Sequence, residues 1–369
     1  MKRRWLVAWL VLFAAAPGLV AAQPAAAGSQ GSPSASQQLP VVVLVATGGT
    51  IAMKYDPVKK GPVPAISGED LVSTVPEIAK VARVEVQNIS NVPSDYMDPP
   101  RWVELAKVVQ DQLARPEVAG VIVSHGTDTL EETAWFLDLA VDSPKPIVLI
   151  GAQHNASERD FDGPRNLFNA ARICVSPEAR NKGAMIALND QINAARDVTK
   201  TNTSSVETFK SGDWGFLGYA DVDRVLFTRA PLRRQHVPVL PAKDGKATVL
   251  PRVDVIPMYG GADGVLLRAS LAAGARGVVI QGLGWGNVNL PLYDAIGEAI
   301  KKGVPVVVTS RVPTGRVQPW YGWKGGGKTL QDLGAIFGDD LSPNKARILL
   351  MLALQTTSNP KELQRMFDR

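Results

Sequence analysis

The chain has 369 residues, 45% hydrophobic and 20% charged, with a formal net charge of +5. This balance excludes a disordered chain and fits one large or two medium globular domains. Three of the basic residues, Lys2, Arg3 and Arg4, precede an apolar run from Trp5 to Ala16 and a small-residue pattern at Val20-Ala21-Ala22.

Residues 1–22 therefore read as a secretory signal whose apolar core is too short for a mature membrane span. Removing them takes away three basic and no acidic residues, so +5 becomes +2. The basic balance belongs to the leader, and no nucleic-acid partner is implied. A periplasmic or secreted protein is expected, free of the membrane after cleavage. Residues 23–38, rich in Ala, Ser, Gly, Gln and Pro, read as a disordered tether.

From residue 39 strand-like and helix-like segments alternate. Strands are expected over Pro40–Ala46, Val84–Ile89, Val118–Ser124, Pro146–Ile150 and Ala184–Leu188, with helices over Arg101–Leu113 and Glu131–Leu139. Such a βα repeat predicts an α/β fold with a mostly parallel sheet covered on both faces, here in a larger N-terminal domain of residues 39–230. Residues 231–251 hold four prolines and no sustained periodicity, and read as a linker. A second series follows, with strands at Val253–Met258, Gly277–Gln281 and Val304–Ser310 and helices near Gly264–Ala273, Leu292–Lys302 and Lys345–Leu354. It predicts a smaller parallel-sheet domain over 252–369. The single Cys174 lies in an apolar stretch and reads as an inert buried thiol, compatible with export.

Two strand ends carry the chemistry. The apolar run Val41–Ala46 breaks into Thr47-Gly48-Gly49-Thr50, and Val121–Val123 into Ser124-His125-Gly126-Thr127-Asp128-Thr129. An open parallel sheet presents reactive groups in this way, in the crevice beyond the carboxyl ends of its strands. Gly49 and Gly126 allow the backbone to approach a ligand closely. The plain alternatives are a generic turn after the first strand and a simple helix start after the second. Thr129-Leu130-Glu131-Glu132 has the form of a capping box, with the threonine closing onto the helix and a glutamate reaching back. Thr127 and Asp128 precede that cap, so their side chains are free to face the crevice. The chain has three histidines and no G-x-S-x-G elbow, so a Ser-His-Asp hydrolase has little support. A threonine hydroxyl needs a base, and a lysine beside a carboxylate can supply one; Lys200 is the candidate.

These residues name a family. Ala46–Ala52 and Ser124–Ala134 together resemble the secreted type of the bacterial L-asparaginases. The resemblance continues in order through Asp162–Leu167, Arg196–Thr203, Ser310–Gly315 and Asn344–Arg347. It implies release of ammonia from L-asparagine through a β-acyl ester on threonine, with no metal or organic cofactor. Thr50 matches the family's primary nucleophile. Thr127, Asp128 and Lys200 match its second constellation, in which the lysine accepts a proton and the aspartate holds it. Ser94 matches the residue that binds the substrate α-carboxylate. The family is usually a homotetramer with sites between paired subunits.

Several positions depart from the family. Its activating tyrosine lies farther from the first threonine than Tyr55 does, and Tyr55 stands for it here as a hypothesis. Asp95 replaces a neutral amide near the expected α-ammonium site. Trp285 stands where relatives often carry asparagine, and Arg316–Tyr321 lacks the glutamate that reaches the neighbouring subunit's site. These changes bear on the choice between asparagine and glutamine. Two other readings are weighed: an exported amino-acid-binding protein, and an ATPase suggested by the phosphate-loop pattern at Gly322–Thr329. The latter lacks a buried strand ahead of its glycines.

Overall fold

In the computed structural model, residues 39–242 and 248–368 are described. The expected signal and tether, 1–22 and 23–38, lie outside the described residues.

The run Val41–Gly48 forms β1, and every residue in it is buried. Successive side chains of a strand point to opposite faces, so an unbroken β-branched run belongs where both faces are covered. Val41, Val43 and Val45 enter one core and Val42 and Leu44 another. After β1 the chain makes a hairpin of β2 (Met53–Asp56) and β3 (Gly61–Pro64), then α1 (Gly68–Ser73) and β4 (Arg83–Val92). It continues through α2 (Pro99–Ala114), β5 (Val118–Ser124), α3 (Leu130–Ala140), β6 (Ile147–Ile150), α4 (Gly163–Val175) and β7 (Ala184–Leu188). Short strands follow: β8 (Gln191–Ala194), β9 (Thr199–Lys200), β10 (Phe209–Lys210), β11 (Gly218–Ala220) and β12 (Val225–Phe227).

The large sheet has eight strands in the order β12-β11-β8-β7-β6-β5-β1-β4. From β4 to β7 the neighbours are parallel, and β8, β11 and β12 add an antiparallel flank. Helices α2 and α3 pack on one face and α1 and α4 on the other. Because β1 lies between β4 and β5, the chain leaves it toward one edge and returns on its other side. A crevice at such a reversal is where open α/β sheets bind ligands.

The second series gives β13 (Val253–Pro257), α5 (Val265–Ala272), β14 (Gly277–Gly282), α6 (Leu290–Lys301), β15 (Val306–Ser310), α7 (Gly327–Leu333), β16 (Ile336–Phe337), α8 (Pro343–Ala353) and α9 (Pro360–Phe367). Its four strands form a separate, wholly parallel sheet in the order β13-β14-β15-β16. Helices α5 and α6 cover one face, and α8 lies between the other face and α3. Among its described residues, the stretch 231–251 has no helix or strand. Its Val237 N–H donates to the Leu139 carbonyl at 2.8 Å and its Leu240 N–H to the Gln355 side chain at 2.9 Å. Cys174 is buried on the inner face of α4, and that burial pushes its thiol pKa well up. Among the described residues no helix is long and apolar enough to cross a membrane.

Candidate active site

The carboxyl ends of β1, β4 and β5 meet at one point. Ala46 is in register with Ser124 and Gly48 with Val92, so the segments leaving these strands start level. Gly49 has φ of 86°, outside the range side chains favour, and a β-carbon on it would fall 2.1 Å from the Gly126 Cα. One on Gly126 would fall 2.8 Å from the Ser94 Cβ and Oγ. The two glycines let the segments carrying Thr50, Ser94 and Thr127 touch. Buried Thr47 ties the strands beneath, donating its hydroxyl to the Ser124 carbonyl at 2.9 Å.

Lys200 comes to this point from β9. Its Nζ donates to Thr127 Oγ1 at 2.8 Å and to Asp128 Oδ1 at 2.7 Å. Thr127 is buried, Lys200 half-buried, and Asp128 opens to solvent. Among the described residues, neither the Thr127 nor the Asp128 N–H has an acceptor in the protein. Donors left unpaired at a helix start suit a carboxylate or a developing oxyanion. Thr50 is half-buried in a single 3₁₀ turn, Thr50–Ala52, and its hydroxyl has no partner among the described residues. Ser94 is buried and Asp95 exposed in the turn after β4.

One expectation, the local cap of α3, needs correction. Thr129 does begin α3, yet its side chain does not cap it; the hydroxyl donates to the Ser94 carbonyl at 2.7 Å. Glu132, the third residue of the helix, does not reach back either; its Oε2 lies 3.9 Å from Arg347 Nη1, while the neighbouring Glu131 accepts the Lys200 N–H at 2.6 Å. Long-range partners have taken both groups from the local cap. Tyr55 is not joined to Thr50. It stands 53% exposed on β2, and its hydroxyl makes no hydrogen bond among the described residues. The phosphate-loop pattern does not form one. Thr329 turns its hydroxyl to the carbonyls of Trp323 and Gly326, Lys328 pairs with Asp332, and the preceding strand ends at Ser310.

Sequence reasoning passed over His125. It is fully buried, and its Nδ1–H donates to the Gly126 carbonyl at 2.7 Å, a carbonyl being able only to accept. Its Nε2 then accepts the Thr133 hydroxyl at 2.9 Å, and Trp102 Nε1 donates to Thr133 Oγ1 at 2.9 Å. Burial lowers the imidazole pKa to about 4, against the opposing effect of the Gly126 carbonyl, so the ring is neutral. Its place at the apolar end of β5 was the available signal.

A cavity of about 500 Å³, lined by Gly48, Ala52, Ser67, Asn88, Ser90 and Ser124 among others, touches none of Thr50, Thr127, Asp128 or Lys200. One trio among the described residues, His154, Glu158 and Asp160, has the spacing of metal ligands. It lies on an exposed loop where Glu158 already accepts the Asn155 N–H and His154 pairs with Asp160.

With this geometry in hand, the relatives are informative. A family profile described as "Asparaginase, N-terminal" matches residues 41–233, and one described as "Glutaminase/Asparaginase C-terminal domain" matches 252–367. The chain belongs to the asparaginase family. It is 38% identical over 332 residues to a "Probable L-asparaginase periplasmic" of Haemophilus influenzae, covering 89% of this chain and 93% of that protein. It is 33% identical to a "Glutaminase-asparaginase" of Pseudomonas fluorescens biotype A, covering 88% of this chain and 89% of that one. A crystal structure of a probable cytoplasmic L-asparaginase from Campylobacter jejuni superposes with a TM-score of 0.81 at 38% identity, covering 89% of this chain and 99% of that one. Membership makes the chain an asparaginase-type hydrolase and removes the non-catalytic receptor reading. The loops after β14 and β15 carry a cluster of aromatic rings. Trp285 and Tyr321 stack at 5.5 Å, Tyr321 and Trp323 at 4.3 Å, and Trp320 meets Trp285 edge-on. Among the described residues no hydrogen bond or ring contact joins these rings to Thr50, Thr127 or Lys200.

Proposed function

We propose that this asparaginase hydrolyses the side-chain amide of L-asparagine to L-aspartate and ammonia, by threonine attack and a β-acyl ester. The observation that carries the reading is the placing of Lys200 Nζ between Thr127 Oγ1 and Asp128 Oδ1, at 2.8 and 2.7 Å. A hydroxyl held against an amine that a carboxylate orients is the arrangement an activated nucleophile needs. The amine form of Lys200 takes the threonine proton, and Asp128 stabilises the ammonium that results. Thr50, with its hydroxyl unengaged, is the candidate for the first attack, and Thr127 for the second. Ser94 faces the substrate α-carboxylate, and Asp128 and Asp95 its α-ammonium. Gly49 and Gly126 complete the substrate site through the close backbone approach they allow, the Gly49 N–H itself being held by the Val92 carbonyl at 3.0 Å. Tyr55 enters only if the β2–β3 hairpin closes over Thr50.

Glutamine is the second substrate to consider, because a relative is named for both activities. One methylene is typically worth only about 1–3 kcal/mol of discrimination. The deciding experiment is ammonia release by the purified protein from L-asparagine and L-glutamine in parallel, with Thr50→Ala and Thr127→Ala beside it. Loss of most activity in both variants, with folding intact, is expected. Near-normal turnover in either removes that threonine from the mechanism, and mass spectrometry of a trapped acyl-enzyme tells which one carries the ester.

The reading extends to the whole protein. Residues 1–22 are removed on export to the periplasm, leaving 23–38 as a tether. The domains are 39–230 and 252–369, joined by 231–251. Four chains associate with sites between paired subunits, an assembly consistent with the exposed rings of Trp285, Trp320 and Trp323. The mature mass and a sedimentation experiment test these points.

A further inference from the structure

Lys200 stands on β9, a two-residue strand that pairs only with β10 and has no place in the eight-stranded sheet. Thr127 and Asp128 follow β5, which lies inside that sheet. The distance between the two groups is therefore set by whatever ties residues 196–200 to the rest of the fold. An error of about 1 Å in such a contact costs about 10²-fold in rate.

Besides the buried Arg196–Asp340 ion pair at 2.7 Å, two side chains grip the backbone of residues 196–200. From α8, the 3%-exposed Lys345 donates its Nζ to the Arg196 carbonyl at 2.9 Å and to the Val198 carbonyl. From the first turn of α3, the 8%-exposed Glu131 accepts the N–H of Lys200 itself at 2.6 Å. The two helices pack together, and Trp135 Nε1 on α3 donates to the Lys345 carbonyl at 3.1 Å. Burial brings the Lys345 pKa down to about 8, while the charges of Glu131 and Asp197 work the other way. A buried ammonium is costly, and an apolar side chain of similar volume packs a core at least as well. Here the ammonium instead fixes two carbonyls that bracket the start of β9.

We propose that Lys345, together with Glu131, is a positioning residue for the reaction: α8 holds the backbone that carries Lys200 and so sets the Lys200–Thr127 distance. The proposal rests on the reading of Lys200 as proton acceptor.

The test compares the wild-type chain with Lys345→Met and Glu131→Leu in two measurements. Amide hydrogen exchange at Lys200 reports the clamp without substrate. Lys345→Met should raise it about tenfold or more while amides of β5 keep their protection. Ammonia release from asparagine reports the consequence: kcat falls about tenfold or more with KM within about twofold, and Lys345→Arg recovers part of the loss. Unchanged exchange at Lys200 overturns the proposal, and so does raised exchange with unchanged kcat. A wild-type chain that releases no ammonia is a failure of the hydrolase reading, told apart because exchange needs no turnover. Should Lys345→Met not fold, Glu131→Leu, which has no acceptor for the Lys200 N–H, carries both measurements, and wild-type exchange and kcat in it overturn the clamp.

Discussion

Gly49 lies against Gly126 so closely that a β-carbon on the first would fall 2.1 Å from the Cα of the second. This contact, made of backbone on both sides, brings the Thr50 and Thr127 segments together. Gly49→Ala must push the segments apart and also hold an alanine at φ of 86°. The strain costs about 1–3 kcal/mol of stability, and the separation costs turnover beyond that. Urea unfolding should show the first effect. Steady-state kinetics on the folded fraction should show a kcat loss of about 10²-fold, since the displacement is of the order of 1 Å. Wild-type kcat in Gly49→Ala would mean that the two segments need not touch.

Lys200→Met keeps most of the apolar stem and removes the donor to Thr127 and Asp128. If Lys200 is the base, kcat should fall about 10²–10⁴-fold, the usual worth of a positioned proton acceptor. Thermal unfolding should move little, because the Asp128 partner is exposed and can be hydrated. A variant with kcat within a few-fold of wild type would remove Lys200 from the chemistry.

Much of this was legible in the sequence, and the gaps have physical causes. Strands β1 and β5 announced themselves because both faces of each are buried, leaving unbroken apolar runs. The reactive residues could be placed at their ends for the same reason. The hairpin of β2 and β3 was missed: Lys54, Tyr55, Pro62 and Pro64 show no alternation of buried and exposed residues. The cap at Thr129 was misread because the partner of its hydroxyl, Ser94, is distant in sequence. No local pattern reveals competition of that kind. Lys345 was equally hidden, since a lysine in an amphipathic stretch is ordinarily assigned to solvent.

Tyr55→Phe tests the hairpin. With the Tyr55 hydroxyl unpartnered on an exposed strand, the substitution should leave kcat within about twofold, as surface changes without partners do. A loss beyond about tenfold would show that the hydroxyl enters the reaction and that the hairpin closes over Thr50 during turnover.

His125 gives the fold beneath the site a pH dependence whose sign can be worked out. Its pKa is about 4 in the folded chain against an ordinary 6.5, so the unfolded chain binds this proton more readily. Its contribution is intact above pH 6.5 and is lost progressively as pH falls from 6.5 to 4, amounting to about 3 kcal/mol. Carboxylates also lose stabilising partners toward the acid end, so the comparison must be with His125→Gln, which lacks the titration. Urea unfolding at pH 7, 5.5 and 4 should show the variant less stable than wild type at pH 7. The gap should then narrow as pH falls, because protonation forces the wild type to bury a charge or unfold. Parallel pH profiles for the two proteins would mean that the ring is solvated or already charged, and that the His125–Thr133–Trp102 chain does not hold the start of α3 as its geometry implies.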